Sequence, residues 1–274
     1  MVNEFLNYDE YQIIKKNSSY KRFAIVSGGT GRIGSLFINE LIDLNYDILI
    51  LSRSQSSYKR LLVRLPESLH TRLSWKKFDL NNKNNIKNVV SEISESFQNC
   101  NVLINCASNS SRGKFIDYDA QSIEEEFWGA IIGTMLFTES ILPLMRNDST
   151  GLNKVINVSS LWGSLAPNFD TYLDMDIGPS PVLVAAKFAI NGYTKYLASR
   201  EASNGIICNA LSPGFFPRPS KDERLDYVQS ISKRVMKSRI GNLPDLVPAV
   251  RYLLSDSTYT TGTVLTVDGG YSAW

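Results

Sequence analysis

Histidine and cysteine are scarce in this chain, and their scarcity narrows the chemistry that the sequence can support. The single histidine, His70, disfavours both a serine–histidine–aspartate triad and a histidine-based metal centre. The three cysteines, Cys100, Cys106 and Cys208, show no paired spacing, which indicates a reducing compartment and no metal site. Cys106 and Cys208 lie in apolar, strand-like runs, so we expect them to be small buried hydrophobic residues.

The chain also lacks an excess of charge and a long apolar run. It has 29 lysine and arginine residues against 27 aspartate and glutamate residues, a formal net charge of +2, which argues against a nucleic-acid surface or an acidic tail. No apolar run approaches the roughly 20 residues that span a bilayer, and residues 1–20 lack the layout of a signal peptide. We therefore expect a cytoplasmic protein that binds neither nucleic acid nor membrane.

What the sequence does contain is an alternation of short apolar runs with helical patterns, in a composition of 43% hydrophobic and 20% charged residues. The predicted strands are 23–26, 47–51, 73–78, 102–106, 154–158 and 206–211. The predicted helices are 36–44, 85–97, 122–145, 181–203 and 246–255. This alternation indicates an α/β fold with a doubly wound parallel sheet of the Rossmann type, in a single domain over 21–274 with an N-terminal extension, 1–20.

A glycine-rich turn follows the first predicted strand. Gly28, Gly31 and Gly34 form a G-x-x-G-x-x-G pattern. Glycine allows a tight turn and lets a pyrophosphate approach the backbone, and a helix that begins near Arg32 offers it free N–H groups. Between a strand and a helix, this pattern predicts a dinucleotide site. The predicted contacts are Gly28, Thr30, Gly31, Arg32, Ile33 and Gly34.

The end of the second predicted strand indicates which dinucleotide binds. An NAD site places an aspartate or glutamate there to bind the ribose hydroxyls, whereas this chain has Ser52 and Arg53. A guanidinium pairs with a 2′-phosphate that a carboxylate would repel. The sequence therefore favours NADP over NAD, and the alternative is that Arg53 is an ordinary solvated arginine.

These signals and several later ones resemble the short-chain dehydrogenase/reductase family from about Lys21 onward. The later motifs are Phe78-Asp79-Leu80, Leu103-Ile104-Asn105-Cys106-Ala107, Asn157-Val158-Ser159-Ser160, Ala186-Lys187, Leu211-Ser212-Pro213-Gly214 and Val267-Asp268-Gly269-Gly270. The resemblance implies that Asp79 lies beside the adenine and that Pro213 and Gly214 shape the nicotinamide end. Arg32 stands where most simple members have the middle glycine. Besides the glycine turn, the implied cofactor-binding residues are Ser52, Arg53, Asp79, Leu80, Asn105, Ala107, Lys187, Pro213 and Gly214.

The same resemblance implies four catalytic positions. A serine holds the substrate oxygen, a tyrosine transfers the proton, a lysine four residues later lowers the pKa of the tyrosine, and an asparagine on an earlier helix supports a water relay. Ser160 and Lys187 match the serine and the lysine and are the candidate catalytic residues. The tyrosine position is Leu183 and the asparagine position is Ala130. With two of the four positions apolar, we expect an atypical active site.

The stretch 161–180 lengthens the interval between the serine and the lysine. Together with the C-terminal residues 268–274, it resembles oxidoreductases of flagellin-glycosylation and nonulosonic-acid pathways. This implies a sugar or another small carbonyl or hydroxyl compound as the substrate, bound partly by the insert and stacked on Trp162. The alternatives are that the insert covers the sheet edge or an oligomer contact, and that Trp162 only packs.

Other polar residues remain candidates for the site. Tyr172 would be a replacement acid from the insert. Asp170, Asp174 and Asp176 could act similarly unless they are simply solvated. Arg218 would meet a substrate carboxylate unless it is a solvated loop arginine.

The sequence leaves two functions open. One is an NADP-dependent oxidoreductase in which water, Ser160 or an insert residue replaces the tyrosine. The other is a catalytically silent homologue that binds a dinucleotide and acts as a regulatory or structural partner. The resemblance and the apolar character of helices 122–145 and 181–203 also predict a homo-dimer or homo-tetramer.

Overall fold

In the computed structural model, the described residues are 22–108, 119–147, 153–172, 178–217, 225–256 and 259–273. Several sequence predictions lie outside these ranges, namely those for the extension 1–20, Asp174, Asp176, Arg218 and Trp274. They stay predictions from the sequence.

Within the described residues, seven parallel strands form one sheet in the order β3-β2-β1-β4-β5-β6-β7. The strands are β1 Arg22–Ser27, β2 Tyr46–Ser52, β3 Leu73–Lys77, β4 Val102–Asn105, β5 Asn153–Val158, β6 Ile206–Pro213 and β7 Val264–Val267. The order reverses between β1 and β4, which is the arrangement of a doubly wound α/β fold. The predicted fold class is confirmed.

The described helices cover both faces of the sheet. They are α1 Arg32–Asp43, α2 Gln55–Leu62, α3 Lys83–Ser96, α4 Ala120–Phe127, α5 Gly133–Arg146, α6 Pro181–Glu201, α7 Leu225–Arg234 and α8 Val247–Leu254. A π-helical turn, Trp128–Ile132, joins α4 to α5. The sequence patterns did not predict α2, α7 or β7. Of these, α2 buries only Leu61, and β7 has four residues of which none is fully buried.

The strands are apolar throughout because each contributes to two cores. In β1, Phe23 and Ile25 pack with α3 and α5, while Ala24 and Val26 pack with α1 and α8. Successive strand side chains point to opposite faces of the sheet, so a strand covered on both faces needs a continuous apolar run.

The register of the strands gathers their carboxyl ends at one edge. Ser27, the last residue of β1, lies beside Leu51 of β2 and Asn105 of β4, and Asn105 lies beside Asn157 of β5. The segments that follow these strands therefore meet above the same edge, where open parallel sheets bind ligands.

One helical run in the described part of the chain, Ala120–Arg146, is long and apolar enough to cross a membrane, by length and composition only. Of its most apolar window, 56% is buried inside the fold. Phe137, Ile141 and Leu142 have no exposed surface and pack against the sheet. The run therefore packs as a core helix of this fold.

Candidate functional site

The glycine turn after β1 is a cradle with no room for side chains. Gly28 has φ +68°, and a Cβ there would lie 2.6 Å from the backbone nitrogen of Ala107. A Cβ at Gly34 would collide with the carbonyl oxygen of Gly28. Gly31 donates to that same oxygen at 2.9 Å and precedes α1, whose first N–H groups receive no side-chain cap. The cradle and these open N–H groups suit an anionic group close to the backbone.

The side chains of the two residues after Gly31 have partners elsewhere in the fold. The Arg32 guanidinium donates from Nη1 to the carbonyl oxygen of Phe216 at 2.8 Å, a contact that joins the start of α1 to the loop after β6. Ile33 packs against the core on the α1 face of the sheet. A contact of Ile33 with a cofactor would therefore involve its backbone, whereas the Arg32 guanidinium keeps further N–H groups beside the glycine turn.

At the end of β2, the Ser52 side chain is hydrogen-bonded within the fold, and the Arg53 side chain is exposed. The Ser52 hydroxyl is buried and accepts a hydrogen bond from Nε1 of Trp75 at 2.8 Å. Arg53 is exposed and makes no hydrogen bond or ion pair with any residue that the structure describes. Of the two predicted contacts, Arg53 is the one whose side chain can reach a ligand.

The end of β3 contributes Asp79 and Leu80. Asp79 is half-buried, and its carboxylate accepts from the backbone N–H of Asn81 at 3.1 Å. Leu80 is buried in the core, and its carbonyl oxygen would collide with a Cβ at Gly133 of α5. Asp79 thus lies at the ligand edge, whereas the Leu80 side chain anchors the loop against α5.

A buried chain of amides and hydroxyls lies beneath the site. Asn105 donates to Oγ1 of Thr138 at 2.8 Å and to Oδ1 of Asn157 at 2.9 Å. Asn157 in turn donates to Oγ1 of Thr194 at 2.9 Å. These bonds connect β4 and β5 to α5 and α6, so the Asn105 side chain sets the position of the helices, while the Ala107 backbone faces Gly28.

Ser160 and Lys187 come together where β5 ends against α6. The Lys187 ammonium is buried and donates to the carbonyl oxygen of Val158 at 2.9 Å. The half-buried Ser160 hydroxyl accepts from the backbone N–H of Trp162 at 3.3 Å, so its proton is available for a substrate oxygen. Ser159 is the more buried neighbour and donates to the Lys187 carbonyl at 3.4 Å. Lys187 thus bonds the end of β5, two residues before Ser160 along the chain.

Burial shifts the pKa values of Lys187 and the nearby Cys106. It lowers the pKa of Lys187 to about 8, an effect that the nearby Cys106 partly opposes. Burial also raises the pKa of the Cys106 thiol to about 11, so the thiol is neutral at physiological pH. The sequence reasoning did not place Cys106 in the site, although its position between Asn105 and Ala107 was a usable signal.

Apolar side chains occupy the two remaining catalytic positions. Leu183 lies one helical turn before Lys187 and therefore on the same face of α6. Ala130 is buried in the π-helical turn and packs against Ala186 and Ile190 of α6. Neither position offers a proton or a hydrogen-bonding side chain.

The insert begins with an aromatic cluster against which Leu183 packs. The rings of Trp162, Phe215 and Tyr271 meet edge to face, with centroids 5.7 Å, 6.3 Å and 5.0 Å apart. Tyr172 is 6% exposed and belongs to the same cluster. Trp162 is 7% exposed, so packing accounts for its ring. The predicted replacement acid Tyr172 therefore belongs to the cluster against which Leu183 packs, whereas Asp170 is exposed.

The turn after β6 closes this side of the site. Pro213 ends β6 opposite Val267 of β7, and Gly214 donates to the Val267 carbonyl at 2.9 Å. A Cβ at Gly214 would lie 2.7 Å from Cα of Asp268. Glycine is needed at 214 because the two backbones approach so closely.

Comparison with known proteins places this geometry in a family. Residues 33–272 match a family model described as enoyl-(acyl carrier protein) reductase. The chain is 25% identical over 259 residues to a 3α-hydroxysteroid dehydrogenase from Mediterraneibacter gnavus, covering 90% of this chain and 96% of that one. It is 29% identical to a 3-oxoacyl-[acyl-carrier-protein] reductase from Rickettsia bellii, covering 90% and 95%.

Solved structures of short-chain dehydrogenases have the same fold as this chain. A short-chain dehydrogenase from Leptospira borgpetersenii with bound NAD+ superposes with a TM-score of 0.79 and 25% identity, covering 99% of this chain and 98% of that one. A gluconate 5-dehydrogenase from Burkholderia cenocepacia in complex with NADP and tartrate shares the fold, with a TM-score of 0.78 and 22% identity over 92% and 96% of the two chains. The chain therefore belongs to the short-chain dehydrogenase/reductase family of oxidoreductases.

Proposed function

We propose that this chain is a nicotinamide-dinucleotide-dependent oxidoreductase that prefers NADP and acts on a small carbonyl or hydroxyl compound in the cytoplasm. The observation that carries the proposal is the pairing, at one edge of the sheet, of a glycine cradle with Ser160 and Lys187. Family membership supports the reaction class.

The residues present fit the dinucleotide. The turn from Gly28 to Gly34, which a Cβ would fill, and the open N–H groups of α1 would hold the pyrophosphate. Arg53 would pair with the 2′-phosphate, Asp79 would lie beside the adenine, and Lys187 would bind the nicotinamide ribose. The bound cofactor supplies a hydride donor or acceptor next to the substrate carbon.

The chain's own residues handle the substrate oxygen and the proton. Ser160 donates its hydroxyl proton in a hydrogen bond to that oxygen. Leu183 has no proton to give, whereas Lys187, with a pKa of about 8, is protonated at neutral pH. We assign proton delivery to the Lys187 ammonium, directly or through a water molecule. The insert residue Tyr172 is the second candidate because it shares the cluster around Leu183.

A second function is supported by one specific observation. Leu183 and Ala130 are each packed into an apolar cluster, so the positions of the tyrosine and the asparagine are filled and not merely vacant. Such packing also suits a catalytically silent homologue that binds a dinucleotide as a regulatory or structural partner.

For the substrate, we retain a sugar-like compound as the proposal. The insert 161–180 and the C-terminal residues 268–274 support it through their resemblance to oxidoreductases of nonulosonic-acid pathways. A 2-keto-3-deoxy-L-fuconate dehydrogenase from Xanthomonas campestris, 30% identical over 183 residues, adds to this, although the match covers only 62% of this chain and 56% of that one.

Calorimetric titration with NADPH and NADH tests the proposal. We expect the wild type to bind NADPH more tightly than NADH. Arg53→Ala should lower the affinity for NADPH by about tenfold or more, because it removes a charge-assisted hydrogen bond to the phosphate. Lys59→Ala, which removes an exposed cation on α2, is the matched control and should change neither affinity. Wild-type protein that binds neither dinucleotide would refute the proposed function, and equal affinities would refute the NADP preference.

The rate of NADPH oxidation by the same protein should be measured with a panel of carbonyl compounds that includes keto-sugars. Turnover supports the oxidoreductase. Tight NADPH binding with no turnover on any member supports the silent homologue.

A further inference from the structure

The segment after β7 brings a tyrosine to the aromatic cluster at the start of the insert. The Tyr271 ring meets Trp162 and Phe215 edge to face, with interplanar angles of 90° and 72°. Trp162 lies two residues after Ser160, and Phe215 directly follows Gly214. Tyr271 therefore adjoins two segments that border the candidate site, although no step of the proposed reaction uses it.

The turn after β7 determines where the Tyr271 ring lies. Gly269 and Gly270 have φ +67° and +88°, in the region that favours glycine, and a Cβ at Gly270 would lie 2.7 Å from Sδ of Met236. The Asp268 carboxylate accepts from the backbone N–H groups of Gly270 at 2.9 Å and Ser272 at 2.8 Å. These bonds fix a turn that directs the following residue toward the loop after β6.

The Tyr271 hydroxyl has no partner within the part of the chain that the structure describes, although the side chain is half-buried. Other tyrosines of the fold are hydrogen-bonded. Tyr58 donates to the carbonyl oxygen of Leu73 at 3.0 Å, and Tyr252 pairs with Oγ1 of Thr260 at 2.8 Å. Because a phenol that is partly buried usually finds a partner, the Tyr271 hydroxyl is available for a ligand.

The surroundings of this hydroxyl suit a ring-shaped polyol. Phe215 is also half-buried, so part of its ring surface is accessible, and Leu183 adds aliphatic surface to the same cluster. The C–H groups on the face of a polyhydroxylated ring can pack on such apolar walls, while the hydroxyls at its edge need hydrogen bonds. A phenol both donates and accepts, so it can pair with a neutral hydroxyl group. Apolar walls with a few placed polar groups are typical of small-molecule sites.

We propose that Tyr271 is a specificity-determining residue that selects a cyclic polyhydroxylated ketone. Its phenol hydrogen-bonds a ring hydroxyl of the substrate, and the face of the substrate ring packs on Phe215. The inference rests on the proposed function, because Ser160 is taken to hold the reacting carbonyl oxygen. It deepens that function by naming the group that distinguishes a hydroxylated ring from a bare one.

The experiment uses the full chain and two matched probes. 2-Keto-myo-inositol and cyclohexanone share one carbocyclic ketone ring and differ only in their ring hydroxyl groups. Dissociation constants are measured by ligand-observed NMR in the presence of saturating NADP+, so that neither ketone is reduced. The proteins are wild type, Tyr271→Phe and the control Tyr252→Phe, which removes a hydroxyl from the exposed side of α8.

We expect wild type to bind the keto-inositol more tightly than cyclohexanone. Tyr271→Phe should weaken the keto-inositol by about fivefold and leave cyclohexanone within about twofold, because it removes one hydrogen bond and keeps the ring. Tyr252→Phe should change neither affinity. Unchanged affinities in Tyr271→Phe, or wild type that binds neither ketone, would overturn the proposal. An equal loss for both ketones would also overturn it, since that result assigns Tyr271 to the support of the fold.

Initial rates give a second readout wherever the wild type turns over the keto-inositol with NADPH. Tyr271→Phe should then raise KM with little change in kcat, because the lost bond is made equally in the ground state and the transition state. A fall in kcat at constant KM would contradict a role in recognition.

The two proposals can fail separately. If wild type binds no dinucleotide, the same titrations are made without NADP+. A selective loss of the keto-inositol in Tyr271→Phe would then support the recognition role while the proposed function fails. If wild type binds NADPH and reduces other carbonyl compounds but Tyr271→Phe binds both ketones as wild type does, the proposed function holds and the role of Tyr271 is refuted.

Discussion

Leu183 and Lys187 share one face of α6, one turn apart, so a phenol at 183 would point toward the ammonium group. We expect Leu183→Tyr to raise NADPH-dependent carbonyl reduction by about 10²-fold, the low end for a positioned general acid, because the buried Lys187 would favour the phenolate. Ala130→Asn should add to the gain. Initial rates of NADPH oxidation on one carbonyl panel measure the effect.

Leu183→Phe is the matched control, since it adds the ring without the hydroxyl and should give no gain. The opposite outcome is informative: robust turnover by wild type that Leu183→Tyr abolishes would show that the leucine belongs to a different working mechanism.

The buried ammonium group of Lys187 lowers the free energy of unfolding, and its proposed catalytic role explains why it is nevertheless present. Burial lowers its pKa from 10.5 to about 8, so the unfolded chain binds this proton more tightly than the folded chain. The loss of folding stability is largest below about pH 8, where Lys187 is protonated in the folded protein. It disappears as the pH rises from about 8 to 10.5. We expect Lys187→Met to raise the free energy of unfolding by about 1–3 kcal/mol at pH 7, and the gain to shrink across that window.

Urea unfolding at pH 7, 9 and 10.5 checks this expectation, with the exposed Lys195→Met on the same helix as the control. A gain that is the same at pH 7 and pH 10.5 would show that packing, not desolvation of the ammonium, is responsible.

At the scale of elements, the loop after β6 is tied to the start of α1. Arg32 donates to the Phe216 carbonyl, and the neighbouring Phe215 packs against Trp162 and Tyr271. This bond therefore connects the glycine turn to the loop that carries Phe215 of the aromatic cluster. It also gives a structural reason for an arginine where the family pattern has a glycine.

Arg32→Met should release this loop while it keeps the length of the side chain. We expect the amide protons of the segment 214–216 to exchange faster and the free energy of unfolding to fall by about 1 kcal/mol, the net value of one partly exposed hydrogen bond. Hydrogen-exchange mass spectrometry measures the first and urea titration the second. Arg60→Met is the control because its contact stays within α2; unchanged exchange in Arg32→Met would contradict the tether.

At the scale of the whole molecule, apolar side chains remain on the outer faces of α4, α5 and α6. Ile123, Met135 and Leu136 are 38–39% exposed, Phe188 is 47% exposed and Tyr196 is 56% exposed. Large apolar side chains left together on helix faces are typical of an interface between subunits. We propose that this face joins two copies, giving a homo-dimer or, with a second such contact, a homo-tetramer.

Phe188→Glu should shift the assembly toward monomer at micromolar concentration, because a buried unpaired carboxylate is costly in an apolar interface. Light scattering coupled to gel filtration gives the mass. Tyr259→Glu, at a fully exposed position outside these helices, should leave the mass unchanged. A monomeric mass for wild type at micromolar concentration would rule the assembly out.

The sequence by itself determined the α/β class, the region of each core strand and the location of the glycine turn. These properties are visible in short stretches of sequence. The run from Phe23 to Val26 is apolar because both faces of its strand are covered. Gly28 and Gly34 are glycines because neighbouring backbone atoms leave no room for a Cβ at either position. Ser160 and Lys187 were named through the family resemblance, because each lies in a motif that the resemblance covers.

Only the tertiary structure decided where the other side chains point. Ser52 bonds Trp75, Asn105 bonds residues on β5 and α5, and Arg32 bonds Phe216. The aromatic cluster that holds Tyr271 likewise joins three segments that are separate in sequence. Each of these partners is distant along the chain, and a local pattern carries no information about which distant group will satisfy a given donor or line a given surface.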